Sequence, residues 1–253
     1  AGDPPDIACF PQPGLMNRFA EEAIDVTTFL DEEFLLEQYD QSWIDMGTAT
    51  DGSDKVIGVW QRIVVKSLVW YNPQMFADFG YEIPTTWDEL LELSDTIVAD
   101  GGTPWSIVME SGPATGWVGT DWVEDIMLRT TSLENYDAWT VPASADERLL
   151  FDSEEVRRAF QLFGDVALTE DYVLGGTDRM LNIAFFDTGV PLIEETAFMA
   201  KMGSFMPPWI DPESFDVELA EDGNLWYFAF PPIDEEFGTP VLVSGDICSM
   251  YND

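Results

Sequence analysis

The side chains best suited to chemistry in this sequence are aromatic rings in loop-like stretches, interleaved with acids, amides and a few cations. Five rings qualify: Trp60, Trp105, Trp117, Trp122 and Phe205. A ligand with apolar C–H faces and hydroxyl edges, as a saccharide has, is matched by aromatic platforms beside planar carboxylate, amide or guanidinium groups. Taken singly, each tryptophan is better accounted for by core packing. Trp117 and Trp122 stand apart, because they flank a Gly/Thr loop that leads into a helix N-terminus. Asp121 beside them either caps that helix or accepts hydroxyl bonds, and both readings stay open. Arg62 and Lys66 are two of only ten cations, and an ion pair with one of 49 acids is the stronger account of Lys66.

Reaction chemistry has less to stand on. Asp121 and Glu124 make a carboxylate pair of the kind a glycosidase uses, but with 49 acids such pairs arise by chance. The sequence has no histidine, which removes His-based triads, most zinc sites and imidazole pH switches. No Gly-rich phosphate loop, metal-ligand cluster or nucleophile elbow is present. The turn Thr50–Asp54 lacks the acidic spacing of a calcium loop.

Composition narrows the partners. With 49 acids against ten bases the net charge is −39, the wrong sign for neutralising phosphates, so nucleic acid is excluded as a partner. An anionic membrane surface or acidic ligand is repelled in the same way. The acidic surface is either plain solvation or an adaptation to high salt, where screening relieves self-repulsion. The 253 residues, 46% hydrophobic and 13% aromatic, suffice for one large or two modest cores. There is no apolar run of ~18 residues, and AGDPPDIACF lacks the basic start and apolar region of a signal peptide.

The elements that must position these side chains are most legible from Ser67 to Ile97. Leu68 to Tyr71 reads as a buried strand stopped by Asn72-Pro73. Met75, Phe76 and Phe79 follow at helical spacing, with Gly80 to close the helix. Thr86 and Glu89 have capping-box spacing, and Trp87 within that turn reads as a hydrophobic staple. The helix they start directs Leu90, Leu91, Leu93, Ile97 and Val98 to a core until Asp100-Gly101-Gly102. Elsewhere the pattern predicts strands over Ile7–Phe10, Val56–Trp60 and Val241–Val243. It predicts helices over 121–129 and 152–168, the latter with Val156, Phe160, Phe163 and Ala167 on one face.

The order strand, Tyr71-Asn72-Pro73, short helix, Gly80, then Pro84-x-Thr86-Trp87-Asp88-Glu89-Leu90 resembles the solute-binding proteins of ABC sugar importers, the family that includes maltose-binding protein. The flanking GVWQRIVVKSLVWYNPQMF and ADGGTPWSIVMESGPATGWVGTDWVEDIMLRT resemble its α-glucoside-binding branch. The resemblance implies an α/β, two-lobed type II binding-protein fold with three-layer lobes, here truncated at both ends. One lobe would hold 1–107 plus 230–253 and the other 108–229.

By the same resemblance the chain is a receptor and not an enzyme. It would bind a neutral oligosaccharide, an α-glucoside, in an interlobe cleft, and deliver it to ABC permease subunits as a monomer without cofactor or metal. The location would be periplasmic or extracellular, compatible with a lipid anchor. A glycoside hydrolase and a non-transport carbohydrate-binding module are the alternatives. Gln12, just beyond a strand's carboxyl end, would face the ligand with Trp60, Arg62, Gly245 and Asp246 from one lobe. Trp117, Asp121, Trp122 and Phe205 would do so from the other. Phe205 closes the Gly203-Ser204-Phe205 segment, whose family counterpart stacks a ring on sugar. A glycine at 245 would admit a ligand close to the backbone, or serve a tight turn or bulge. Cys9 and Cys248 are expected on neighbouring strands as unbonded, buried thiols.

Overall fold

The computed structural model describes residues 5–142 and 144–251. It separates into two compact units, Ala1–Val64 with Val243–Asp253, and Val65–Leu242. The lobe division implied by the resemblance, 1–107 with 230–253 and 108–229, remains a proposal.

In the first unit β1 (Ile7–Phe10), β6 (Val243–Met250) and β2 (Val59–Val65) form a three-stranded sheet with β6 in the centre. Short helices α1 (Pro13–Met16), α2 (Glu32–Gln38) and α3 (Gln41–Met46) precede β2. A small core of Met16, Ala20, Ala23, Ala49, Ile57, Trp60 and Ile247 fills this unit. The strand expected over 56–60 begins later, at Val59, and runs on through Arg62, while Val56 only bridges Thr48. An exposed strand face accommodates a charge that a buried strand would reject.

The cysteines are where they were expected but not in the expected state. Cys9 and Cys248 face each other across the antiparallel β1–β6 pair and form a disulfide across 239 residues of sequence. Tyr251 N–H donates to the Asp6 carbonyl, so 6/251 is a hydrogen-bonded pair and 9/248, three places along, is a non-hydrogen-bonded one. That is the closer type of cross-strand pair, and here the Cα atoms are 3.9 Å apart. Nor is the pair buried: Cys9 lies on an exposed face of β1 and Cys248 is half-buried.

The second unit is built on β3 (Leu68–Tyr71), flanked antiparallel by β4 (Met199–Lys201) and β5 (Trp226–Ala229). Helix α4 (Pro73–Phe79) starts as its sequence dictates. The Asn72 side chain accepts from Gln74 N–H and Met75 N–H at 3.0 and 3.2 Å, proline fills the first turn, and Gly80 at φ 74° ends the helix.

Helix α5 (Trp87–Ala99) is capped by the Thr86 hydroxyl, which accepts from Glu89 N–H. The return bond of the box lands one residue early, with Thr85 N–H donating to Glu89 Oε2 at 2.7 Å. Trp87 is the first helical residue rather than a staple before it, and it packs edge-on against Phe230.

The remaining helices of this unit are α6 (Trp117–Leu128), α7 (Leu133–Thr140), α8 (Glu154–Ala167), α9 (Gly176–Asn182) and α10 (Val190–Ile193). On α8 the buried stripe is Val156, Ala159, Val166 and Ala167. Phe160, placed on that face by its spacing, is 44% exposed because the stripe turns through 159 instead. No helix among the described residues is long and apolar enough to cross a membrane.

Candidate functional site

Helix α6 organises the charged groups of the second unit. It begins at Trp117, four residues before its expected start, so Asp121 is not a cap but an interior helical residue. Trp117, Asp121 and Asp125 recur at i, i+4, i+8, and Arg129 follows directly at the C-cap, so the four share one side of the helix.

Towards the surface, the Lys66 ammonium lies 2.6 Å from Asp121 Oδ2, and it sits over the Trp117 ring at 4.6 Å and the Phe205 ring at 5.0 Å. The two ring centroids are 6.1 Å apart. One cation is thus held by a carboxylate and two π-faces.

Two loops pin this arrangement. Ser204 N–H donates to the Val65 carbonyl at 2.8 Å, and Val65 N–H donates to Ser204 Oγ at 3.2 Å, which fixes the Phe205 loop beside Lys66. Gly203 makes room for the Phe205 ring, which would meet any Cβ there at 2.5 Å.

Beneath lies a fully buried network. Asp125 is ion-paired with Arg129 one turn later and with Lys201 at 2.9 Å, and it accepts from the Ser67 hydroxyl at 2.8 Å. Arg129 also donates to the carbonyls of Pro231, Phe230 and Pro240, while Lys201 donates to the Asp121 carbonyl at 3.2 Å. Each charge has several partners, as burial of charge demands. Burial lowers the Arg129 guanidinium pKa, and Asp125 draws it back up. It raises that of Asp121, against the pull of Lys66 and Lys201.

Glu124, half-buried on the same helix, is raised to about 7 by burial first and by Asp121 second. The Tyr136 hydroxyl on α7 is raised by burial and then by Glu124 and Asp125.

Other residues proposed from sequence lie in different settings. Trp122 is 0% exposed, its ring packed among Trp105, Phe163 and Phe230. Trp105 is buried too, its indole N–H donating to Ser94 Oγ at 3.0 Å.

In the first unit Trp60 is a core residue whose indole N–H donates to the Trp43 carbonyl at 2.8 Å and whose ring meets Trp43 edge-on. Arg62 and Asp246 are ion-paired at 2.6 Å across β2 and β6. Gly245 is buried where a Cβ would strike the Arg62 carbonyl and the Trp60 ring, so close strand approach demands glycine there. Gln12 is exposed at the start of α1, and its side chain makes no capping bond.

Of the nine residues, then, the structure gathers Trp117, Asp121 and Phe205 around Lys66. It gathers Trp60, Arg62, Gly245 and Asp246 on neighbouring strands of the first unit.

Sequence reasoning named Glu124 only as half of a chance carboxylate pair, and it missed Lys201, Asp125 and Arg129, together with three rings beside Trp117 and Phe205. Phe185 lies 5.1 Å from Trp117, and Trp209 lies 4.7 Å from Phe205. Phe186 stands 4.9 Å from Trp209. The i, i+4, i+8 spacing on α6 was the one signal that could have shown part of this.

Residues 1–175 match the family model described as bacterial extracellular solute-binding protein. The chain belongs to that family. This solute-binding protein is 42% identical over its whole length to the osmoprotective compounds-binding protein GgtB of Synechocystis, covering 58% of that protein. It is 38% identical, again over its whole length, to the alpha-glucosides-binding periplasmic protein AglE of Rhizobium meliloti, covering 55% of it. The chain therefore spans little more than half the length of these relatives. Among solved structures, a chitin oligosaccharide binding protein superposes with a TM-score of 0.77 at 17% identity, over 99% of this chain and 58% of that one. That likeness establishes the fold, the α/β fold of type II periplasmic sugar-binding proteins.

Proposed function

We propose that this solute-binding protein is part of an extracytoplasmic receptor that binds a neutral oligosaccharide, an α-glucoside, and passes it to the permease subunits of an ABC importer. It works as a monomer in the periplasm or outside the cell. The observation that carries this reading is the Trp117–Phe205 pair beside the Lys66–Asp121 ion pair. Two partly exposed rings supply faces for sugar C–H groups, and the carboxylate and ammonium supply hydroxyl partners at their edge. The α-glucoside preference is supported by the relative named for alpha-glucosides. A net charge of −39 favours a neutral ligand over an anionic one.

A smaller osmoprotective solute is the second reading, supported by the 42% identical relative named for such compounds. Calorimetric titration with α- and β-linked disaccharides, small neutral osmolytes, amino acids and peptides tests both. Saturable heat with an α-linked disaccharide supports the first reading, and heat only with a compact osmolyte supports the second. Binding of an amino acid or peptide with no saccharide response overturns the receptor's sugar assignment.

A further inference from the structure

Of the rings that border Trp117 and Phe205, Phe185 and Trp209 pack partly buried against the core and Phe186 lies outside it. Phe186 is 48% exposed, while Phe185, Phe205 and Trp209 are half-buried. They form an unbroken strip. Phe205 meets Trp209 at 4.7 Å and an interplanar angle of 40°, and Trp209 meets Phe186 edge-on at 4.9 Å. Phe185 bridges Trp117 and Trp209 at 5.1 Å each.

Main-chain bonds hold every loop that carries these rings. Glu110 N–H donates to the Ile183 carbonyl and Phe185 N–H returns to the Glu110 carbonyl, both at 3.0 Å. Trp209 N–H donates to the Met206 carbonyl at 3.0 Å. A strip so fixed loses little entropy when a ligand lies on it.

Exposed rings in a chain of net charge −39 invite a neutral partner, since a second acidic copy would be repelled. The strip is continuous with the Lys66–Asp121 edge.

We propose that Phe186 and Trp209 form an additional saccharide subsite, continuous with Trp117 and Phe205, that takes the next glycosyl unit of a longer α-linked oligosaccharide. This rests on the saccharide reading above and deepens it, making chain length a determinant of affinity.

The test is calorimetric affinity for α-linked glucose oligomers of two, three and four units. Affinity should rise about tenfold on adding the third unit, roughly the worth of one ring–sugar stack. Phe186→Ala and Trp209→Ala should each abolish most of that rise. Phe160→Ala, which removes an exposed ring elsewhere, should keep it. Disaccharide binding with no dependence on length, or a rise untouched by both Phe186→Ala and Trp209→Ala, overturns the subsite alone. Failure of every saccharide to bind overturns the subsite and the saccharide reading together.

Discussion

The Lys66 ammonium touches the Asp121 carboxylate at 2.6 Å while facing the Trp117 ring at 4.6 Å, so a charge pair and an aromatic face share one cation. Both charged side chains are largely buried, at 10% and 17% exposure. Removing one partner strands the other. Asp121→Asn should cost about 2–3 kcal/mol of stability, and adding Lys66→Met to it should recover a large part of that loss. Urea unfolding of the two single variants and the double variant measures the coupling. Additive losses would mean that the pair is not coupled.

Glu124 gives the stability a pH dependence of definite sign. Its carboxyl is raised from 4.5 to about 7, chiefly by burial, so the folded protein holds a proton that the unfolded chain releases at lower pH. The stabilisation is complete below pH 4.5 and is lost as pH rises through about 7. The loss is on the order of 3 kcal/mol. Glu124→Gln should remove this decline, leaving a variant more stable than the parent above pH 7 by a similar order. Chemical unfolding across pH 4.5 to 8 checks it, and parallel curves for parent and variant would refute the assignment.

The Cys9–Cys248 disulfide joins strands 239 residues apart in sequence. A cross-link closing so long a loop restricts the unfolded chain strongly, by about 5 kcal/mol in the chain-entropy model. Thiol titration of the unfolded, unreduced protein should find no free cysteine. Reduction, or the paired Cys9→Ser and Cys248→Ser change, should lower the melting temperature. Two titratable thiols without reductant would disprove the bond.

What could be read in advance follows the range of the interactions. The Asn72, Gly80 and Thr86 signals act within a few residues, and α4 and α5 begin and end where they say. Trp117, Asp121 and Phe205 were singled out because local loop character and family likeness mark them one by one. Their meeting around Lys66 was not visible, because it joins positions 66, 117 and 205. The Asp125–Arg129–Lys201 network was missed for the same reason: its salt bridge from 125 to 201 spans 76 residues. The disulfide was misjudged because bonding depends on which type of cross-strand pair the cysteines occupy, and register is set by the whole sheet. Phe160 erred by one step around α8, where tertiary packing chose Ala159 for the buried stripe.

The most direct measurement is calorimetric titration of Trp117→Ala and Phe205→Ala with the best-binding α-linked disaccharide, beside the parent protein. Each variant should bind at least about tenfold more weakly, because each removes one apolar face from the sugar. Unchanged affinity in both would place the saccharide elsewhere and contradict the assignment of the Trp117–Phe205 platform.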